Sequence, residues 1–477
     1  MADRVQQEQF HESGVQPPVY PKPSPYTANP VQRLGRGLKS WLALFNEWDY
    51  RIRLGQITIF GKPVFLVNDP PLVRQVLVDQ VAQFPKHPFT LWLLEPLIGH
   101  AIFSVNGQEW ARQRRLMDQA FQVAQLRRVF PQMQGAVQDL LKRLHATVGE
   151  ADAVVDLEVE MTQVTADVIV RTILSRPLSV VEATDVLTAF RRYQRRAGQA
   201  LVLRLLQVPE SLLRRYLGRH AKPIRHWIQM VIDERLATSH GFESESPRDL
   251  LQALTEAEDR ETGTRFAPEE LVDQVCFLFL AGHETSASAL ALATYLLARF
   301  PEAQQRFRRE IEQVLAGEDR GLGFDDLGQL PFGTAVFNET LRLYPPVSFF
   351  IREASRDQSL GQTRCPVDSL LTLSPWVIHR HENHWDDPHE FRPERFMPDT
   401  ARADERRLAR DAWLPFGLGP RKCPGAAFAL QESLLVLAEL LRRYELMLTN
   451  DHSPDLVGRL TLRSRNGIMI RLESVRH

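Results

Sequence analysis

One cysteine stands in a loop made of glycine, proline and positive charge. The stretch FGLGPRKCPG, residues 416–425, contains Cys423, and helical periodicity begins directly after it. The helix dipole, unpaired backbone N–H groups and the neighbouring Arg421 and Lys422 favour the thiolate at this position. Such a thiolate serves as a nucleophile or as a ligand of a soft metal. The competing interpretation is an anion-binding loop in which the cysteine is incidental.

A second chemical signal lies in AGHETS, residues 281–286. Ala281 and Gly282 remove side-chain bulk, and the Thr285 hydroxyl can bond the carbonyl of Ala281, which tends to bend a helix and open a groove. Glu284 adds a carboxylate beside that hydroxyl, so the two side chains form a candidate proton relay. An ordinary crossing of two helices at small residues is the alternative interpretation.

Two further pairs join an arginine to a residue on the same helical face. Glu339 and Arg342 lie three apart in NETLRLYPP, and Trp110 and Arg114 lie four apart in EWARQRRLM. An indole N–H and a guanidinium could together hold a carboxylate. A solvated surface pair is the alternative in both cases.

Histidines are dense in HRHENHWDDPHEF, residues 379–391. Their spacing matches no ligand pattern of zinc sites, so the stretch is interpreted as a polar loop and not as a metal site. His283 is equally isolated, because Ala287 stands where the second histidine of an H-E-x-x-H motif would be.

The residues between these motifs predict a mainly α-helical fold with a small β portion. Helical spacing dominates from Pro70 to Tyr344, and a short helix is expected around 34–48. Alternating apolar residues on both sides of Gly61 predict a β-hairpin. Short strands are expected at 369–374 and within 459–473.

The longest predicted helix runs from Pro268 to Arg299. Pro268 suits a first helical position, Pro301 lies just past the end, and no proline interrupts between them. About 30 residues would extend roughly 45 Å. Its middle, VCFLFLAG, is apolar on all sides, so the helix should cross the interior and form one wall of a site.

The bulk composition describes a soluble globular protein. Apolar residues make up 44% of the 477, and 58 Lys plus Arg against 59 Asp plus Glu give no indication of a nucleic-acid partner. Three cysteines without C-x-x-C spacing fit a reducing cytoplasm. Residues 1–33, polar and proline-rich, indicate neither a signal peptide nor a transmembrane anchor. They are expected to form a flexible lead to a single domain over 34–477.

In their order and content these motifs resemble one family, the cytochrome P450 haem-thiolate monooxygenases of the soluble bacterial type. FGLGPRKCPG matches the haem-binding form F-G-x-G-x-R-x-C-x-G at every fixed position, and AGHETS resembles the oxygen-activating stretch of the long central helix. ETLR, WARQR and FRPERF, the last containing Arg395, resemble three further motifs. The resemblance covers roughly residues 35–475 and implies the cytochrome P450 fold, whose long central helix crosses over the haem.

The resemblance implies that Cys423 is the thiolate ligand of the iron of haem b. Phe416 would pack beside the sulfur, and Gly425 would let the backbone approach the ring. The haem propionates would be held by Trp110, Arg114, Arg352 and Arg421. His100 could contact either a propionate or the substrate and is left unassigned.

The resemblance also assigns a role to the carboxylate and the hydroxyl of AGHETS. Thr285 and Glu284, the latter where many relatives carry aspartate, would deliver protons to dioxygen, with Ala281 and Gly282 making room for it. Glu339, Arg342 and Arg395 would form a structural network without chemistry. An apolar substrate would be lined by Phe277, Ala281, Val347, Phe349 and Phe350.

The expected activity is O2-dependent oxygenation of an apolar organic molecule by a monomeric, cytoplasmic enzyme. Electrons are expected from a separate ferredoxin- or flavodoxin-type donor, since 477 residues leave no room for a fused reductase. A basic docking face for an acidic donor is predicted from Arg112, Arg115, Arg127, Arg128 and Lys422, with a solvated surface as the alternative.

Several alternatives stay open at this point. A peroxide-using or isomerising haem-thiolate enzyme, or a non-catalytic haem-thiolate sensor, would keep the same fold. The Glu284–Thr285 pair argues against the first, because such relatives tend to lose the pair, and against the sensor, because a sensor needs no proton relay. The basic amphipathic stretch 191–219 is interpreted as a mobile pair of lid helices, although weak contact with a membrane surface would also fit.

Overall fold

α-Helices form most of the chain in the computed structural model, which describes residues 18–475 except for 27–28, 38, 60, 149–152, 206, 239–248, 400–401, 403–407, 409–410 and 450–451. In chain order the helices are α1 Pro30–Gly37, α2 Pro70–Arg74, α3 Pro88–Trp92, α4 Glu95–Ile98, α5 Gly107–Ala120, α6 Val123–Val148, α7 Leu157–Leu174, α8 Val180–Leu205, α9 Glu210–Thr238, α10 Leu250–Glu256, α11 Pro268–Arg299, α12 Pro301–Leu315, α13 Pro331–Leu343, α14 Pro375–Ile378 and α15 Ala426–Arg443. Short 3-10 or π turns lie at Trp41–Leu44, Glu47–Tyr50, Gln75–Asp79, Val81–Gln83, Asp326–Gln329, Pro393–Phe396 and Gly419–Arg421.

The strands form small sheets at the edge of the helical body. They are β1 Leu54–Ile59, β2 Lys62–Val67, β3 Ala153–Asp156, β4 Phe350–Glu353, β5 Gln358–Leu360, β6 Thr363–Cys365, β7 Leu370–Leu373, β8 Tyr444–Leu448, β9 Leu456–Gly458, β10 Leu462–Ser464 and β11 Met469–Ser474. The sheet orders are β1-β2-β7-β4, β3-β11-β8, β9-β10 and β5-β6. The predicted hairpin is confirmed: β1 pairs antiparallel with β2, and Gly61 adopts the positive φ that the turn requires. The mainly α fold with a small β portion is likewise confirmed.

The long central helix is confirmed with the predicted bounds. Helix α11 begins at Pro268, and the Ala267 N–H donates to the Glu270 carboxylate at 2.8 Å, which caps its first turn. Among the described residues it is the one helix long and apolar enough to cross a membrane by length and composition. However, 78% of its most apolar stretch is buried against the rest of the protein. It therefore forms the core of the fold.

Helix α7 crosses α11 closely where the central helix carries its small residues. The Thr165 hydroxyl of α7 donates to the carbonyl of His283 at 3.0 Å. A Cβ added at Gly282 would collide with the side chain of Ile169 on α7. Gly282 therefore permits the two helices to approach each other. Gly282 also lines the cavity, as expected from the sequence, and its contact with α7 is an additional reason for a glycine there.

A buried arginine network lies behind the cysteine loop, as predicted. The guanidinium of Arg342 on α13 binds both carboxylate oxygens of Glu339, at 2.6 and 2.8 Å. Arg395 lies 3.5 Å from the same carboxylate. The His379 ring contacts the carbonyl of Arg342 at 3.1 Å, and its other nitrogen accepts the Leu414 N–H at 2.8 Å. Burial and neighbouring Arg342 lower the pKa of His379 to about 3, so the neutral ring joins α13 to the segment that enters the cysteine loop.

The described part of the proline-rich lead packs on the domain. The Val19 N–H donates to the hydroxyl of Tyr295 at 3.2 Å, and the Tyr344 hydroxyl donates to the Val19 carbonyl at 2.6 Å. Tyr20 stacks on His389 with a centroid separation of 4.2 Å. Val19 and Tyr20 of the predicted lead thus contact the domain, while residues 1–17 lie outside the described chain. The helix expected around 34–48 is instead α1 followed by two 3-10 turns.

Candidate active site

The loop around Cys423 is closed by its own backbone at the start of α15. The Cys423 N–H donates to the carbonyl of Phe416 at 2.8 Å. Gly417 and Gly419 have φ of +72° and +71°, a region that side chains other than glycine rarely adopt. A Cβ at Gly419 would also collide with the carbonyl of Leu77. The glycine pattern therefore follows from a turn that presents the sulfur at the helix N-terminus.

The Cys423 side chain is exposed to a cavity inside the protein. Burial raises the pKa of Cys423, and the Gly425 N–H, Arg114 and Lys422 offset this rise only in part. This corrects the expectation that the loop alone favours the thiolate. A neutral thiol is a weak nucleophile, whereas a bound metal ion deprotonates a coordinating thiol outright. Of the two chemistries open at the start, the burial of the sulfur is more compatible with metal ligation than with a free nucleophile.

A single cavity of about 2110 Å³ lies between the cysteine loop and α11. This is larger than the roughly 300–1,000 Å³ of ordinary ligand pockets, so a large planar cofactor and an organic molecule can fit together. Every residue proposed from the sequence for the site lines it: Trp110, Arg114, Phe277, Ala281, Glu284, Thr285, Val347, Phe349, Phe350, Arg352, Phe416, Arg421, Cys423 and Gly425. The exposed His100 does not; its backbone N–H donates to Asp273 at 2.8 Å.

Three cations converge on this cavity near the cysteine loop: Lys86, Arg352 and Arg421. Burial and the two arginines lower the pKa of Lys86 well below its usual value, and burial with Arg421 lowers the pKa of Arg352 to about 10. The Nε atoms of both arginines are buried without a hydrogen-bond partner in the described chain. No carboxylate of the described residues pairs with the three. The cluster therefore fits a ligand with two carboxylates, as the propionates of a haem would be.

Lys86 was missed by sequence reasoning because a lone lysine in FPKHPF carries no motif. Its ammonium donates to the carbonyls of Ile102 and Phe103, at 2.9 and 2.5 Å. Trp110 lies beneath Arg421, with the guanidinium 4.8 Å from the ring centroid. The indole thus orients an arginine as well as lining the cavity.

Arg114 lines the cavity but is already engaged by protein groups. Its Nε donates to Asp118 at 3.0 Å, and a terminal nitrogen donates to the carbonyl of Lys422. The latter bond joins α5 to the residue before Cys423. Arg114 therefore positions the cysteine loop in addition to any contact with a cofactor.

The acid and the alcohol of α11 have well-defined partners. The Thr285 hydroxyl donates to the carbonyl of Ala281 at 2.7 Å. The Glu284 carboxylate accepts from the Thr461 hydroxyl at 3.0 Å and pairs with Arg463 at 2.8 Å. Burial alone would raise the pKa of Glu284, but Arg463 and the neighbouring histidine lower it far below its usual value. The carboxylate is thus ionised, and its partners come from the β9–β10 segment, whereas the Thr285 hydroxyl bonds only within α11.

Arg463 and Thr461 were not singled out from the sequence. Both lie in RLTLRS, which was recognised only as a strand. Their spacing of two places them on one face of an extended segment, and that was the available signal. Nothing local indicated that this face would meet α11.

The predicted basic docking face is largely neutralised in the structure. Arg112 pairs with Glu270, Arg115 lies 2.6 Å from Asp259, and Arg127 lies 2.6 Å from Asp325. The acids come from segments more than 140 positions further along the chain, so their proximity could not be read locally. Arg128 and Lys422 form no ion pair within the described residues. The face is therefore less basic than expected.

The histidine-rich stretch is a structural loop, as interpreted. The His381 and His384 rings stack at 4.2 Å, and each meets a backbone carbonyl. Burial lowers the pKa of both, that of His381 to about 4.

A buried carboxyl on α15 lies outside this chemistry. Both oxygens of Glu432 are buried without a hydrogen-bond partner among the described residues, and the side chain lies beside Ser286 of α11. Burial raises the pKa of Glu432 to about 8. The carboxyl is therefore largely protonated in the folded protein at neutral pH.

Glu432 is expected to make the protein less stable as the pH rises from about 5 to 8. In this window an unfolded glutamate, with a pKa of about 4.3, has lost its proton while the folded one retains it. Glu432→Gln removes the effect. The free energy of unfolding of the variant should therefore rise relative to the wild type by up to about 1.4 kcal/mol per pH unit, measured by urea denaturation. Parallel pH profiles of the two proteins would contradict this.

Comparison with known proteins gives a consistent result. The family model described as Cytochrome P450 matches residues 50–470. Cyclooctatin synthase of Streptomyces melanosporofaciens is 32% identical over 82% of this chain and 83% of its own length. Pentalenene oxygenase of Streptomyces avermitilis is 30% identical over 88% and 90%. The crystal structure of the cytochrome P450DA heme domain superposes with a TM-score of 0.77 and 25% identity, covering 89% of this chain and 90% of that one.

Proposed function

Because the chain belongs to the cytochrome P450 family, and is therefore an oxidoreductase with a haem-iron cofactor, we propose that it is a haem-thiolate monooxygenase. It oxygenates an apolar organic substrate with O2 and electrons from a separate donor. One observation carries the proposal: Cys423 and the Glu284–Thr285 pair line the same cavity. A proton relay has no use in a sensor.

The cofactor is haem b, which supplies an iron centre that accepts single electrons and activates dioxygen. Cys423 binds the iron as thiolate. Lys86, Arg352 and Arg421 hold the propionates, and Phe416 packs beside the sulfur. Bound propionates would also offset the burial, and the smaller repulsion between the cations, that lower the pKa of Lys86 and Arg352.

Thr285 holds a proton at the reaction side of α11. Its hydroxyl donates to Ala281, so its oxygen can accept a hydrogen bond from a water molecule. To pass its proton into the cavity, the O–H must rotate away from that carbonyl while the oxygen takes a proton from the water, and this rotation does not require the helix to move. Glu284 connects this position to Thr461 and Arg463 on the β9–β10 segment. The two side chains thus connect the cavity wall at α11 to the β9–β10 segment.

The apolar walls set the substrate class. Phe277 stacks on Phe103 at 5.8 Å, and Phe349 contacts Trp41 at 5.5 Å. These rings exclude water from the chamber and bind hydrocarbon. Val347 and Phe350 complete the apolar lining together with Ala281.

The function is tested with purified holoenzyme. The carbon monoxide adduct of the reduced protein is expected to show the red-shifted Soret band of sulfur ligation. Product formation is expected with NAD(P)H, a surrogate reductase system and ¹⁸O2, with one labelled oxygen in the product. Full turnover with hydrogen peroxide alone, and none with reductase and O2, would favour the peroxide-using alternative. A normal adduct spectrum without turnover of any bound compound would favour a sensor.

Thr285→Ala is expected to lower the rate of product formation by about 100-fold, because general acid–base groups contribute about 10²–10⁴ to the rate. Thr285→Ser keeps the hydroxyl and should retain most activity. Thr294→Ala is the matched control: Thr294 is buried on the same helix, bonds Ala291 at 2.8 Å and does not line the cavity. Equal losses in Thr285→Ala and Thr294→Ala would contradict a role in proton transfer.

The electron donor is a ferredoxin- or flavodoxin-type protein, and the enzyme is a cytoplasmic monomer. Since ion pairs neutralise most of the predicted basic face, only part of the donor's attraction can be electrostatic. A weak dependence of the reduction rate on ionic strength is therefore in keeping with this surface.

A further inference from the structure

The lining of the cavity carries far more positive than negative charge. Among the described residues, eleven lysines and arginines line it against two carboxylates, Asp49 and Glu284. Each carboxylate already has an arginine of its own, Arg33 and Arg463 respectively. Four of the remaining cations border the cysteine loop. A positive excess therefore persists elsewhere in the cavity, where a cofactor's propionates do not neutralise it.

Part of this excess lies on one face of α8. Arg191 and Arg195 are four positions apart, both line the cavity, and both are exposed, which places them towards its opening. Arg191 contacts only the Thr188 hydroxyl, at 3.4 Å, and neither arginine forms an ion pair within the described chain. Between them Gln194 lies beside Glu284. The face of α8 that carries the arginines therefore adjoins the acid of α11.

A third arginine approaches from the turn between β9 and β10. Arg459 is exposed, lines the cavity and has no ion-pair partner in the described part of the chain. The preceding Gly458 donates its N–H to the Ser40 hydroxyl at 3.1 Å. Next to Ser40 stands Trp41, which contacts Phe349. Arg459 thus adjoins the apolar wall of the cavity.

We propose that the substrate is a carboxylic acid with an apolar body, whose carboxylate is held by Arg191, Arg195 and Arg459. The inference rests on the proposed monooxygenase function and specifies its substrate class. A guanidinium presents paired N–H donors that match a carboxylate, and an apolar-walled opening concentrates the field of the three charges. The hydrocarbon then reaches past Phe349 towards Thr285. A flexible fatty acid and a rigid terpenoid acid share this chemistry.

Binding to the holoenzyme is measured by calorimetry, which reads affinity whether or not the haem band shifts. Dodecanoic acid is compared with methyl dodecanoate, and abietic acid with methyl abietate. We expect at least one acid to bind at least about tenfold more tightly than its ester, because this is the gain in affinity that a hydrogen bond to a charged group provides. Preference for dodecanoic acid would indicate a flexible fatty acid as substrate, and preference for abietic acid would indicate a rigid terpenoid acid. Raising the salt concentration should weaken binding of the acid and leave the affinity for the ester unchanged.

The arginines are tested with a variant carrying Arg191→Gln, Arg195→Gln and Arg459→Gln. It should lose the preference for the acid and keep the affinity for the ester. The matched control, R192Q/R215Q/R219Q, removes equal charge from exposed arginines that do not line the cavity, and should keep the preference.

Three outcomes would overturn the inference. The wild type could bind both esters as tightly as their acids. The preference for the acid could survive in the variant of Arg191, Arg195 and Arg459, or it could disappear in the control variant R192Q/R215Q/R219Q. A normal carbon monoxide spectrum with oxygenated ester product would then leave the proposed function intact. Conversely, loss of the sulfur-ligation spectrum would reject that function even if the acid were preferred.

Discussion

Arg342→Lys is expected to abolish the folded, haem-binding form of the protein. Arg342 is fully buried and binds both oxygens of Glu339. It also donates to the carbonyls of His379, Pro388 and Glu390, at 2.9, 2.7 and 2.8 Å. This single guanidinium therefore holds together α13 and the segment that leads to the cysteine loop.

A lysine ammonium cannot replace this planar set of donors. Buried acceptors left unsatisfied cost about 1–3 kcal/mol each, and a broken buried ion pair costs about 3–5 kcal/mol. These losses approach the whole stability of about 5–15 kcal/mol of a typical domain. Most of the variant should therefore be unfolded or without haem.

Circular dichroism, urea denaturation and haem content measure this loss. Arg364→Lys is the control, because Arg364 pairs with Asp357 at 3.0 Å while 78% exposed. Such a surface pair contributes only about 0–1 kcal/mol. The control should have a free energy of unfolding within about 1 kcal/mol of the wild-type value. If the free energy of unfolding of R342K were equally close to the wild-type value, the network would not have the structural importance assigned to it.

Arg463→Gln is expected to destabilise the folded protein by about 3–5 kcal/mol at about pH 7.5, because it leaves the buried carboxylate of Glu284 without its guanidinium. Glu284→Gln should cost less, since Arg463 keeps Glu158 at 3.3 Å. The double variant R463Q/E284Q should recover most of the loss of R463Q. Urea denaturation of the four proteins completes the cycle.

The pH dependence gives a second measurement of the same pair. The pKa of Glu284 is lowered in the fold, so its contribution is present above the unfolded value of about 4.3 and is lost as the pH falls through the lower folded value. Without Arg463, burial raises that pKa instead. The deficit of R463Q should therefore be smaller at about pH 5 than at about pH 7.5. Arg465→Gln, whose exposed pair with Asp455 spans 3.4 Å, should show neither effect.

Features set by neighbouring residues were predictable. The bounds of α11 follow from Pro268, Pro301 and an uninterrupted apolar run, all read within one stretch of sequence. The cysteine loop is similar, since Gly417 and Gly419 are required by a local turn. Residue types within one segment therefore sufficed to locate the sulfur and the long helix.

Features that depend on distant segments could not be predicted in this way. Lys86 lies near Arg352 and Arg421, which are more than 260 positions away in the sequence. Arg463 pairs with Glu284, which is 179 positions away. The acids that neutralise the basic face are equally remote. The close helix crossing at Gly282 could not be predicted for the same reason, because it depends on Ile169, which lies on another helix.

The backbone of Val19 links the far ends of two helices. Tyr295 lies near the end of α11, Tyr344 directly follows α13, and both hydroxyls bind the same residue. Sliding of one helix past the other would break both bonds, and the surrounding prolines mean that little conformational freedom is lost in forming them. The end of the protein behind the cysteine loop is thereby kept rigid. The opposite side of the cavity, where α8 contributes Arg191, Gln194 and Arg195 to the lining, has no such link to Val19.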